Sequence, residues 1–223
     1  MNGKDNLTQE LMLVQQYFRT GITRGALLVL DNYSDNDSHS PDQAARQPAT
    51  YTAILNDLAS VFKFLTSTPF DASSGRSLLD VTTVVVTAEF NRTMRQLGSP
   101  IDKTGTDHNT LANEVLIGGK GIKGGLVVGA SDLPSVDASG QLTGVSGAHR
   151  QRDPDLIKLM GRPFDVPSLT ATAALPAAFD QTQYLNFASV ANTIYQLFGA
   201  DPSHLRQVVR NGPAAPVLSG LLS

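Results

Sequence analysis

Three short segments carry most of the residues able to do chemistry. Asp35-Asn36-Asp37-Ser38-His39 places two carboxylates and an imidazole close together. Asp offers a hard oxygen and neutral His a borderline nitrogen, a donor set that suits zinc, manganese or iron. The same residue types are common turn formers, so a solvated turn is the competing reading. Thr106-Asp107-His108 repeats the Asp–His pairing in a second polar segment. The chain has four His (His39, His108, His149 and His204), and the first two closely follow an Asp. Taken together, the two clusters point to a divalent-metal site drawn from two segments. The third segment is Glu89-Phe90-Asn91-Arg92-Thr93. A Glu at the end of a strand can ligate a metal or serve as general base, and Arg92 can bind an anionic group. A surface ion pair between Glu89 and Arg92 is the alternative.

Gly119-Lys120-Gly121-Ile122-Lys123-Gly124 matches the dinucleotide pattern G-x-G-x-x-G. That fingerprint needs a helix opening at the third glycine, so that its N–H groups meet a pyrophosphate. Here Gly125 to Gly129 reads as strand and Pro134 follows. A glycine-rich turn or hairpin over Gly118–Val128, with Lys120 and Lys123 exposed, is the expectation.

The elements that must position these residues alternate between helix and strand. Leu7, Leu11, Val14 and Phe18 have helical spacing over Asn6–Arg19, with Asp5 or Asn6 as N-cap and Gly21 and Gly25 as breakers. Ala26–Leu30 is a continuous apolar run that reads as a buried strand ending in the polar cluster Asp31–His39. Pro41 suits a helix start, and Tyr51, Leu55, Leu58, Phe62 and Leu65 keep helical period. Ser67–Ser77 reads as a loop. Val81–Thr87, rich in β-branched residues, is the strongest strand, predicted to neighbour Ala26–Leu30. Val115–Ile117 and Leu126–Val128 flank the glycine-rich turn. Ser131–Ser146 reads as a surface excursion and Asp153–Met160 as a short helix. Phe187–Phe198 reads as a helix, and another starts at Asp201-Pro202-Ser203. Two βα-type units suggest an α/β sheet, in which ligands bind beyond the carboxyl ends of the strands.

At 223 residues and 41% hydrophobic, the chain is long and apolar enough for a folded core. One α/β domain over 1–223 is expected. With 17 Lys+Arg against 20 Asp+Glu, nothing global favours nucleic acid or an anionic membrane. No apolar run is long enough to span a bilayer. The absence of Cys excludes disulfides, thiolate zinc sites, iron–sulfur clusters and cysteine nucleophiles. Met1–Glu10 is polar and carries no signal peptide. The expectation is therefore a cytoplasmic chain, or one that lacks a native N-terminal part and is exported within a longer precursor.

The motifs also carry a resemblance. Ala88-Glu89-Phe90-Asn91-Arg92-Thr93 resembles a Ser-Glu-Phe-Gly-Arg-Thr signature, and Gly105-Thr106-Asp107-His108 a Gly-Thr-Asp-His-Gly motif. Ile117–Gly125 resembles the glycine-rich segment that follows, Asp37-Ser38-His39 the upstream Asp-Thr-His, and Ile194–Leu222 the closing helix and Leu-rich tail. All belong to the bacterial domain of unknown function 1501 family, within the alkaline phosphatase and sulfatase superfamily. The resemblance implies a three-layer α/β/α sandwich, of which this chain is the carboxyl-terminal part. An N-terminal companion segment would supply a further metal-binding Asp and the Ser or Thr nucleophile. It also implies a metal-dependent hydrolase acting on a small phosphate or sulfate ester, with zinc, manganese or calcium. By superfamily order, Asp35 or Asp37, His39 and His108 hold one metal, with Glu89 nearby and Phe90 where relatives place His. The alternative assigns Asp107 and His108 to the second metal and His149 to the first. Departures at Ser34-Asp35-Asn36, Asn91, Asn109 and Leu111–Glu114 fit the rival reading, a pseudoenzyme or half-domain that binds a partner polypeptide.

Overall fold

A computed structural model describes residues 3–29, 38–88, 90–95, 105–109, 112–132, 156–157, 160–171, 184–200 and 215–223. They form a mixed α/β protein of helices and small two-stranded sheets. The chain divides into two compact units, Met1–Val84 with Pro100–Thr106, and Val85–Ser99 with Asp107–Ser223. Among the described residues no helix is long and apolar enough to cross a membrane.

In the first unit, helix α1 (Gly3–Thr20) places Leu7 and Leu11 one turn apart on the face that meets the core. It begins before Asp5 and Asn6, so neither is its N-cap. Gly21 ends it at φ 71°, with Ile22 N–H donating to the Tyr17 carbonyl and Gly21 N–H to that of Phe18. This is a Schellman closure, which a left-handed glycine makes without steric cost. Helix α2 (Pro41–Ser67) starts as the sequence predicts, with Pro41 in its first turn. The Gln43 side chain accepts from the Ser40 N–H at 3.1 Å. Pro48 lies inside α2, so one backbone donor is missing from its ladder. Val61 and Leu65, four apart, bury against Leu11 and Leu78. The loop expected over Ser67–Ser77 is present. Asp71 accepts from the N–H and hydroxyl groups of both Ser73 and Ser74, and these donors hold its carboxyl well below the usual range. The loop delivers Leu78 into the core at 1% exposure.

Ala26–Leu30 does not form the predicted buried strand. Among the described residues, 25–29 have no ladder partner, Leu27 is 89% and Val29 65% exposed, and Leu28 packs on the core. Leu30 lies outside the described residues. A five-residue apolar run has no period of its own. Of the four described side chains of the run, Ala26 to Val29, only that of Leu28 meets the core.

A 3-10 turn at Leu79–Val81 leads into β1 (Thr83–Thr87), the strand expected from its β-branched residues. It pairs with β5 (Val115–Gly119). In the second unit, β2 (Asn91–Arg92) pairs antiparallel with β4 (His108–Asn109), with Asn91 opposite Asn109 and Arg92 opposite His108. Strand β3 (Met94–Arg95) pairs with β7 (Leu156–Ile157), and β6 (Ser131–Asp132) with β8 (Met160–Gly161). Strand β9 (Phe164–Asp165) pairs with β10 (Thr170–Ala171). The helix expected over Asp153–Met160 is therefore replaced, at the residues described, by strand. Pairing with distant segments outweighs the weak local preference of a short run.

After β5 the glycine segment turns with Gly119, Gly121, Gly125 and Gly129 at positive φ. No helix opens there, Leu126–Val128 forms no strand, and Lys120 and Lys123 are exposed. The structure thus agrees with the rejection of a dinucleotide loop. Helix α3 (Phe187–Leu197) is capped by the Asn186 side chain, which accepts from the Ser189 N–H at 3.0 Å. The buried Thr193 hydroxyl donates to the Ser189 carbonyl at 2.7 Å and accepts from the Leu218 N–H at 2.9 Å. This fixes Leu218 beside Phe164 and Leu221 in the second core. The excursion beyond residue 132 and the helix start at Asp201 lie outside the described residues.

Candidate functional site

The site begins with a backbone close approach. Gly105 and Thr106 run against Ser38 and His39, and the Thr106 N–H donates to the Ser38 carbonyl at 2.6 Å. The hydroxyls of Ser38 and Thr106 share a hydrogen bond of 2.5 Å, and the Gln47 side chain of α2 donates to Ser38 Oγ at 2.6 Å. Ser38 is fully buried and Thr106 is buried. A Cβ at position 105 would overlap the backbone of Ser38 and His39, so only glycine fits there. His39 and Asp107 each directly follow a member of this clamp, which sets their backbones locally.

Asp107 and His108 are set in turn by β2 and β4. Thr93 N–H donates to the Asp107 carbonyl at 2.9 Å, and Asp107 N–H to Thr93 Oγ1 at 2.8 Å. The His108 N–H donates to Asp107 Oδ1 at 2.7 Å. Asp107 Oδ2 is the oxygen outside that bond. The His108 ring stacks on Phe90, with centroids 3.9 Å apart and planes at 30°. Arg92, opposite His108, lies with its guanidinium carbon 5.4 Å from the Phe90 ring centre.

Asp107 and His108, both in the second unit, each offer one ligand atom, and these atoms lie within 4.8 Å of each other. Two ligands of a zinc-like ion at 2.0–2.1 Å lie at most about 4.2 Å apart, close to that bound. His39 and Asp107 are exposed, which leaves them room to move. An imidazole and a carboxylate oxygen are donors that suit zinc, manganese or iron. The residues therefore fit a divalent ion.

Of the residues singled out from sequence, Asp107 and His108 pair their ligand atoms, His39 is exposed in the first unit, and Arg92 stands across the strand pair from His108. Asp35, Asp37, Glu89 and His149 lie outside the described residues. Sequence reasoning missed Ser38, Gly105, Thr106 and Gln47 as positioning groups. A Gly-Thr pair directly before Asp-His was the available signal.

A mixed α/β chain with an Asp–His pair set by a short antiparallel strand pair is the class that this geometry defines. The family model described as protein of unknown function (DUF1501) matches residues 74–188, just over half the chain. The chain belongs to that family. The matched span includes Glu89, Arg92, Asp107 and His108, while His39 lies before it. Comparison with the curated proteins and with the solved structures gave no match.

Proposed function

We propose that this chain is a metal-dependent hydrolase module of the sulfatase and phosphatase type, acting on a small phosphate or sulfate ester. It would form the carboxyl-terminal part of an alkaline phosphatase-like α/β/α core. The observation that supports the reading is the pair of ligand atoms that Asp107 and His108 hold within 4.8 Å of each other, with Arg92 opposite His108. Asp107 and His108 would hold zinc, manganese or calcium, joined by His39, by Asp35 or Asp37 and by Glu89. A bound divalent ion supplies Lewis-acid polarisation of the ester and a lowered pKa for the attacking hydroxyl or water. Arg92 would bind a non-bridging oxygen of the ester through charge-assisted hydrogen bonds. Glu89 would accept the proton from the attacking group.

The test is metal content of the purified protein together with hydrolysis of nitrophenyl phosphate and nitrophenyl sulfate. His108→Ala and His39→Ala should each lower metal affinity by at least about tenfold and abolish any hydrolysis. Wild-type protein that holds no divalent ion after loading would sink the proposal.

A second reading, a non-catalytic half-domain that binds a partner polypeptide, is favoured by one observation. Leu27 and Val29 present apolar side chains to solvent from an extended segment without a ladder partner. Stoichiometric metal binding without hydrolysis of either ester would favour it.

A further inference from the structure

We infer that Phe90 is a positioning residue for the His108 imidazole, an inference that rests on His108 being a metal ligand as proposed above. The register places the two together. Arg92 faces His108 across the antiparallel pair, and side chains two apart on a strand share a face. Phe90 and Arg92 therefore lie on the His108 side, with Phe90 diagonal to His108, a relation that aromatic rings can bridge. Their ring centroids are 3.9 Å apart. Arg92 braces Phe90 in turn, its guanidinium carbon lying 5.4 Å from the ring centre.

This contact can order His108 without competing for metal. An imidazole binds a cation through a nitrogen lone pair in the ring plane, whereas Phe90 covers a ring face. The stack restricts rotation about the two side-chain torsions of His108 and leaves the ring edge to the ion. A ligand ordered before binding loses less rotamer freedom on binding, so affinity rises. Groups that orient a ligating His typically contribute ten- to a hundredfold in metal affinity (roughly).

Cobalt(II) titration of the full chain, followed by visible absorption, tests the inference. Phe90→Leu keeps an apolar side chain but removes the flat ring. It should bind cobalt about tenfold more weakly, with an altered absorption band for the bound ion. Phe90→Tyr keeps the ring and should bind as wild type does. Phe90→Met, with a longer apolar side chain, carries the same expectation as Phe90→Leu should that variant not fold. Wild-type affinity in Phe90→Leu, alongside weakened binding in His108→Ala, would overturn the role of Phe90 and leave the metal reading standing. Equal weakening in Phe90→Leu and Phe90→Tyr would also overturn it. No cobalt binding by wild type, or undiminished binding by His108→Ala, would remove the metal reading and this inference with it.

Discussion

Gly105→Ala strikes the close approach on which the site is built. The added methyl would fall on the carbonyl carbon and oxygen of His39 and on the carbonyl oxygen of Ser38. These are backbone atoms, so no side chain can swing away to make room. Restoring ordinary carbon contacts of about 3.5 Å requires the two segments to part by roughly 1 Å or more. Parting them breaks the 2.6 Å bond from Thr106 N–H to the Ser38 carbonyl and the 2.5 Å bond of the two hydroxyls. A buried neutral hydrogen bond contributes about 1 kcal/mol net, and a stranded buried partner costs up to about 3 kcal/mol. Overpacking adds about 1–3 kcal/mol. The expected loss is about 3–5 kcal/mol, or roughly 6–20 °C in Tm for a chain of this size. Calorimetry measures the Tm, and cobalt titration should show weakened binding, because His39 and Asp107 take their positions from the clamp. A wild-type Tm in Gly105→Ala would refute the close approach itself.

Two further outcomes follow from hydrogen bonds elsewhere. Thr193→Val leaves the buried Leu218 N–H without its acceptor and should cost about 1–3 kcal/mol in urea denaturation, with Thr193→Ser restoring most of it. Asp71 concerns pH: the Ser74 and Ser73 hydroxyls, followed by their N–H groups, hold its folded carboxyl below the ordinary 3.8. Below 3.8 the unfolded chain then takes up a proton that the folded chain does not, so stability falls as pH drops toward the folded value. Asp71→Asn should flatten that acid limb in denaturation curves recorded from pH 5 downward and leave the neutral region's slope unchanged.

Periodicity made the helices legible. Leu7 with Leu11, and Phe62 with Leu65, keep a spacing that only a helix turns into one face. The β-branched run made β1 legible in the same way. Ala26–Leu30 failed because unbroken apolarity does not say which side chain will find the core, and among the described residues of the run only Leu28 did. Leu156–Ile157 failed because a two-residue strand exists only through its partner, Met94–Arg95, which lies far away in sequence. At the site, the ligand types stood out because Asp and His carry the chemistry. The groups that place them did not, since Ser38, Thr106 and Gln47 look like ordinary polar loop and helix residues until they meet. Phe90 matched a signature and stood where superfamily relatives place His, but its stacking on His108 needed the β2–β4 register.

Pro48 gives α2 two parts that need not open together. Without an N–H at that position the carbonyl of Ala44 lacks its helical donor, and residues 41–47 join the rest of the helix through a weakened ladder. Val61 and Leu65, which anchor α2 in the core, lie well beyond that point. Gln47, whose amide holds Ser38 Oγ, lies on the near side. Local opening of the first turns would release the buried hydroxyl pair while the core stays closed. In amide hydrogen exchange, residues 41–47 should lose protection earlier than 58–67 and in step with Thr106. The order around His39 and Asp107 is then governed by two helical turns rather than by the global stability of the protein.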